Sequence, residues 1–144
     1  MTVHSIRLYQ VFDAPVEEVW EVFSDHARFG QLMGMPMVRI VDSTDHDHVN
    51  GVGSVRLIKL SFAPFEETIR KWDRLRCIEY QITKGSPLHH HFGSMKFERL
   101  SSTQCSLDYS IELGSRIPLL GVILRWILQR AIARGLRRYA DSLL

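Results

Sequence analysis

The string His89-His90-His91 gathers three imidazoles, groups that ligate metals when neutral and exchange protons near neutral pH. On an extended backbone His89 and His91 share one side and His90 takes the other. Their parity is that of Met95 and Phe97, which turns two rings toward the apolar side of the strand. Three chemistries fit: a metal pair, an acid–base pair, or polar residues where a strand starts near solvent. A metal site requires a third or fourth ligand, and only His46 and His48 in an Asp-rich loop offer one. No metal and no cofactor are expected. Glu67 shares the parity of Phe65 and Ile69, which aims its carboxylate inward. A carboxyl removed from water gains proton affinity and could act as a general acid or base. The alternative is an exposed cross-strand ion pair with Arg56, of little energetic weight. Glu67, His89 and His91 are therefore the catalytic candidates, if there is catalysis at all, and Tyr109 adds a phenol on an inward parity.

Other reactive-looking residues carry less. Asp42, Asp45 and Asp47 imitate a calcium loop, but no glycine stands at the sixth place and no glutamate closes it, so a solvated loop is expected. Cys77 and Cys105 are too few for a disulfide framework or a zinc site and read as ordinary buried thiols.

The elements that must position these groups follow from periodicity. Ile6, Leu8 and Phe12 mark a first strand, which Asp13-Ala14-Pro15 ends. Asp13 is a candidate helix cap and Pro15 suits a first turn. Val16, Val19, Trp20 and Phe23 then recur at helical spacing, and Ser24-Asp25 restarts a second short helix to about Leu32, closed by Gly34 and Pro36. From Met37 to Leu113 strands and turns take over: 38–41, 54–60, 65–72, 76–83, 89–99 and a last strand over 105–113. Asn50-Gly51 and Gly85-Ser86-Pro87 are the turn signals, and the short links predict antiparallel neighbours. Residues 118–144 read as one helix of about seven turns. Its apolar stripe runs through Leu120, Leu124, Ile127, Leu128, Ala131, Ile132 and Leu136. The same helix carries Arg125, Arg130, Arg134, Arg137 and Arg138, which could hold anionic lipid headgroups while the stripe dips into a bilayer. A helix that covers a sheet needs the same stripe, and its interruption by Arg125, Gln129 and Arg130 excludes a membrane span.

The chain of 144 residues is of one-domain size, and its 45% hydrophobic and 24% charged content is that of a globular protein. A net charge of +2 gives no basic stripe for nucleic acid. No signal peptide precedes the first strand, and a cytoplasmic protein is expected. Two short helices, a run of antiparallel strands and a long final helix make an α+β layout over residues 1–144.

Asp13-Ala14-Pro15-Val16-Glu17-Glu18-Val19-Trp20, Gly51-Val52-Gly53-Ser54-Val55-Arg56, Phe65-Glu66-Glu67-Thr68-Ile69 with Trp72-Asp73, Ile78-Glu79-Tyr80 and Gly85-Ser86-Pro87 occur in that order. Together they resemble the START-like (SRPBCC) superfamily and, within it, the polyketide cyclase/dehydrase and lipid-transfer family. The resemblance implies a helix-grip fold, a curved sheet of six to seven strands wrapped around the last helix, with an apolar cavity between them. It carries over no catalytic residue, since the family has no universal catalytic motif and fold does not fix function.

Residues expected to face that cavity share the apolar parity of their strands. They are Val55 and Leu57; Phe65, Glu67 and Ile69; Ile78, Tyr80 and Ile82; His91, Met95 and Phe97; Leu107, Tyr109 and Ile111; and Leu120, Leu124, Ile127 and Ala131 from the helix. The expected partner is a small hydrophobic molecule such as a lipid, polyketide or isoprenoid, carried or sensed; the rival is a cyclase or dehydratase acting in the same cavity. Neither nucleic acid nor stable membrane insertion is expected, and a homodimer is left open.

Overall fold

Residues 2–44, 48–59, 64–86 and 88–144 are described by a computed structural model. Asp45, His46 and Asp47 of the expected solvated loop, Leu60 of the third strand and Pro87 of the turn lie outside the described residues. The elements follow in the order β1 (Thr2–Phe12), α1 (Val16–Ser24), α2 (His26–Met33), β2 (Met37–Val41), β3 (Val55–Ile58), β4 (Phe65–Asp73), β5 (Cys77–Lys84), β6 (His90–Arg99), β7 (Cys105–Ser115) and α3 (Leu120–Ser142). The strands form one antiparallel sheet in the order β1-β7-β6-β5-β4-β3-β2. After β1, the two short helices carry the chain to the opposite edge, and a meander then returns it strand by strand to β1. This is the helix-grip arrangement that the resemblance implied.

Local chemistry explains the boundaries. Asp25 Oδ1 accepts from Arg28 N at 3.0 Å and starts α2, while Gly34, at φ 70°, supplies the left-handed residue that ends it. Asp13 is not the cap of α1: its Oδ1 accepts from Gln104 Nε2 at 2.6 Å, and Pro15 stands at the cap position. The helix is held instead by its apolar face, with Trp20 set edge-on to Trp72 and Phe97 at 5.2 and 5.3 Å.

Within that arrangement the last helix turns a different side inward from the expected one. It packs chiefly against β1, α2 and β7. Two glycines mark the closest approaches: a Cβ on Gly121 would lie 2.9 Å from His4 Cδ2, and one on Gly135 would lie 2.7 Å from Leu32 O. Gly121, Ile132, Gly135 and Leu136 are buried, and Leu120, Leu124 and Leu128 are half-buried. Ile127 is 49% exposed, so it does not face the sheet. The correction is geometric: the side that approaches β1 and α2 contains the two glycines, and Ile127 lies far round the helix from it.

Candidate functional site

On β3 the inward parity is the reverse of the expected one. Arg56 and Ile58 are buried, whereas Val55 and Leu57 are only half-buried on the other face and do not line a cavity. The cause is the register: Arg56 pairs with Glu67 and Ile58 with Phe65, and directly opposed residues share a face. Arg56 and Glu67 therefore turn inward together. Arg56 Nε donates to Glu67 Oε1 at 2.8 Å, and Nη2 lies 2.8 Å from the same oxygen without the alignment of a hydrogen bond. The guanidinium also lies 4.6 Å from the Tyr80 ring centre and 5.0 Å from that of Phe29. A cation within 5.0 Å of two aromatic ring centres that also donates to a carboxylate is a compensated buried charge.

The histidine string divides. His89 is exposed ahead of β6, His90 is half-exposed with Nε2 3.2 Å from Glu112 Oε2, and His91 is buried. The expected pairing of His89 with His91 fails because the strand begins only at His90. His91 Nε2 is 4.0 Å from Glu67 Oε2, and neither ring nitrogen has a hydrogen-bond partner among the described residues. Burial lowers the proton affinity of His91 more than the nearby Glu67 carboxylate raises it. His91 is thus a neutral imidazole with a free donor and a free acceptor.

Beside it the Tyr80 and Tyr109 hydroxyls are hydrogen-bonded to each other. Burial raises both phenols, so they stay protonated and act as donors and acceptors rather than bases. Gly93, opposite Tyr80 on β6, makes this possible: any Cβ there would collide with the Tyr80 ring.

Glu67, Tyr80, His91 and Tyr109 form one wall of an internal cavity. Phe29, Met33, Met35, Met37, Ile58, Phe65, Ile111, Leu128 and Ile132 complete it. Its volume is about 20 Å³, enough for a single water and not the guest-sized void expected. The protein's own methionines and aromatic rings occupy the space. Of the expected lining residues, Phe65, Glu67, Tyr80, His91, Tyr109 and Ile111 are brought together here. Ile69, Ile78, Met95, Phe97 and Leu107 belong to the solid core instead. Ile82 is half-buried next to Glu67 in the ladder, and Leu120, Leu124, Ile127 and Ala131 are not on the wall. The sequence reading missed Phe29, Ile58, Leu128, Ile132 and the trio Met33, Met35 and Met37. Three methionines in five residues, broken by Gly34 and Pro36, were the available signal, since Met fills irregular gaps and repacks easily.

A second polar cluster lies between α2 and β3. His26 Nε2 is 3.1 Å from Ser54 Oγ, and Asn50 accepts from Arg39 Nη1 at 2.7 Å while donating to Ser24 O at 3.2 Å. These bonds tie the loop after β2 to the helices. Among the described residues no group of three or more His, Cys, Asp or Glu side chains could hold a metal ion.

The fold recurs in solved structures. A START superfamily protein from Mycobacterium smegmatis superposes with a TM-score of 0.79 at 12% identity, covering 98% of this chain and 99% of that one. The XoxI protein of Bacillus cereus matches with a TM-score of 0.75 at 11% identity over 96% and 94% of the two chains. Norcoclaurine synthase from Thalictrum flavum, in complex with dopamine and hydroxybenzaldehyde, matches with a TM-score of 0.66 at 11% identity over 98% and 88%. No curated protein matches the chain by sequence. The family model described as polyketide cyclase/dehydrase and lipid transport matches residues 3–143, and the chain belongs to that family.

Proposed function

We propose that this chain binds a small hydrophobic molecule bearing one hydrogen-bonding group, in the space between the sheet and α3, and carries or senses it. The observation that supports this most is the pair of unpartnered nitrogens on buried His91, on the wall of an otherwise apolar cavity. A buried polar group without a partner is costly, so a ligand hydroxyl or carbonyl there would relieve that cost. The apolar body of the ligand would replace Met33, Met35 and Met37, whose flexible side chains withdraw at low cost. Leu128 and Ile132 close the space from the side of α3. Binding then requires opening, and the closed form is the unliganded protein.

Gentle purification followed by native mass spectrometry tests the reading. A small molecule released on unfolding, or saturable uptake of a fluorescent apolar probe, is the expected result. Protein that carries nothing and takes up no probe contradicts it.

The second reading is a cyclase or dehydratase, favoured by the convergence of Glu67, His91 and two phenols on one wall. Neutral His91 would accept a proton, Glu67 would orient or exchange it, and the Tyr80–Tyr109 pair would donate to a developing oxyanion. The similar norcoclaurine synthase shows that this fold hosts an enzyme. Conversion of a poly-β-ketone by the purified protein, abolished in Glu67→Gln, is the result this reading requires.

A further inference from the structure

The outer side of α3 carries Val122, Ile123, Trp126 and Ile127, at 49, 53, 61 and 49% exposure, and Leu119 at the cap position before it is 74% exposed. Positions 122, 123, 126 and 127, four residues apart in two adjacent rows, share one helical face. That face turns away from Gly121, Ile132 and Gly135, which are buried toward the rest of the fold. An exposed apolar face containing a tryptophan marks an interaction surface.

What it meets is indicated by charge. The same face continues into Arg130, Arg134 and Arg137, and the Arg130 guanidinium lies 4.8 Å over the Trp126 ring. Within α3 five arginines stand against one acidic residue, Asp141. An apolar front followed by a cationic rear suits a surface whose interior is apolar and whose face is anionic. We infer that this face of α3 docks the protein reversibly on an anionic lipid bilayer, with Trp126 at headgroup level and the arginines on the lipid phosphates. No helix among the described residues is long and apolar enough to cross a membrane, so the helix lies in the interface plane. Docking does not depend on what the cavity holds.

Co-sedimentation of the full chain with vesicles tests the inference. Vesicles of equal parts phosphatidylcholine and phosphatidylglycerol should bind it, and phosphatidylcholine alone should bind it at least about tenfold more weakly, with the difference erased by high salt. The double variant Val122→Glu, Trp126→Glu should lose binding with an unchanged circular dichroism spectrum, since both side chains are exposed. The triple variant Arg130→Gln, Arg134→Gln, Arg137→Gln should weaken it by at least about tenfold. Trp126 emission should shift to the blue on binding. The inference is overturned by absence of binding to the mixed vesicles or by binding that survives the double variant. It is equally overturned by a solution dimer that the double variant dissolves, which would assign the face to a second copy.

Discussion

Arg56 and Glu67 face each other across the β3–β4 ladder as a buried ion pair, 1% and 4% exposed, with Nε and Oε1 2.8 Å apart. Removing one partner leaves an uncompensated charge beneath Tyr80 and Phe29. Arg56→Ala or Glu67→Ala should each cost about 3–5 kcal/mol in urea unfolding. The joint replacement Arg56→Met, Glu67→Leu should recover most of that loss. If the single variants cost no more than surface substitutions, the pair is solvated and the Glu67 side of the cavity is wet.

Acid should destabilise the fold through His26. Burial first, then the positive charges of Arg56 and Arg39, push this imidazole down to about 2. The unfolded chain binds a proton near pH 6.5 and the folded one does not, so the full contribution is present above that pH. Below it, stability should fall by about 1.4 kcal/mol per pH unit. His91, shifted in the same direction, steepens the fall. Urea titrations between neutral and mildly acidic pH measure the slope, and His26→Gln should flatten it by one proton. An unchanged slope in that variant assigns the acid sensitivity elsewhere.

Gly93 should not tolerate a side chain. A Cβ there meets the Tyr80 ring and would separate the two tyrosine hydroxyls. Gly93→Ala should cost about 1–3 kcal/mol by thermal or chemical unfolding, and adding Tyr80→Leu should restore part of it.

Ile132 is 2% exposed and lies on the cavity wall. Ile132→Ala should lower stability by about 2–5 kcal/mol while enlarging the space. Affinity for a small apolar probe should rise in the same variant. A loss of stability with no gain in affinity would make this region closed core.

Much of this was legible in the sequence, and the failures are specific. Alternation located the strands and the spacing of Val16, Val19, Trp20 and Phe23 located α1, because those patterns report burial on one face. The inward Glu67 was legible too, and it contained an unread consequence. If β3 pairs with β4 so that Arg56 opposes Glu67, then Arg56 must also face inward, and Val55 and Leu57 cannot. Hydrophobicity pointed the other way because a compensated cation set against aromatic rings is indistinguishable, by residue type, from a surface charge. On α3 apolar residues occur on more than one side, so periodicity alone offered several stripes. Gly121 and Gly135 mark the side of closest approach, a signal of size and not of polarity. The cavity volume was not legible at all, since whether methionines fill a space depends on their rotamers.

Met33, Met35 and Met37 line the cavity, whereas Met95 is sealed in the core at 0% exposure, which gives an internal control. The direct test is a methyl spectrum of methionine-labelled protein titrated with 2-naphthol, a compact apolar body with one hydroxyl. The proposed binding role predicts saturable shifts at Met33, Met35 and Met37 with a small or absent response at Met95. Methyl signals that stay fixed throughout the titration, or that move only as the protein unfolds, would contradict it.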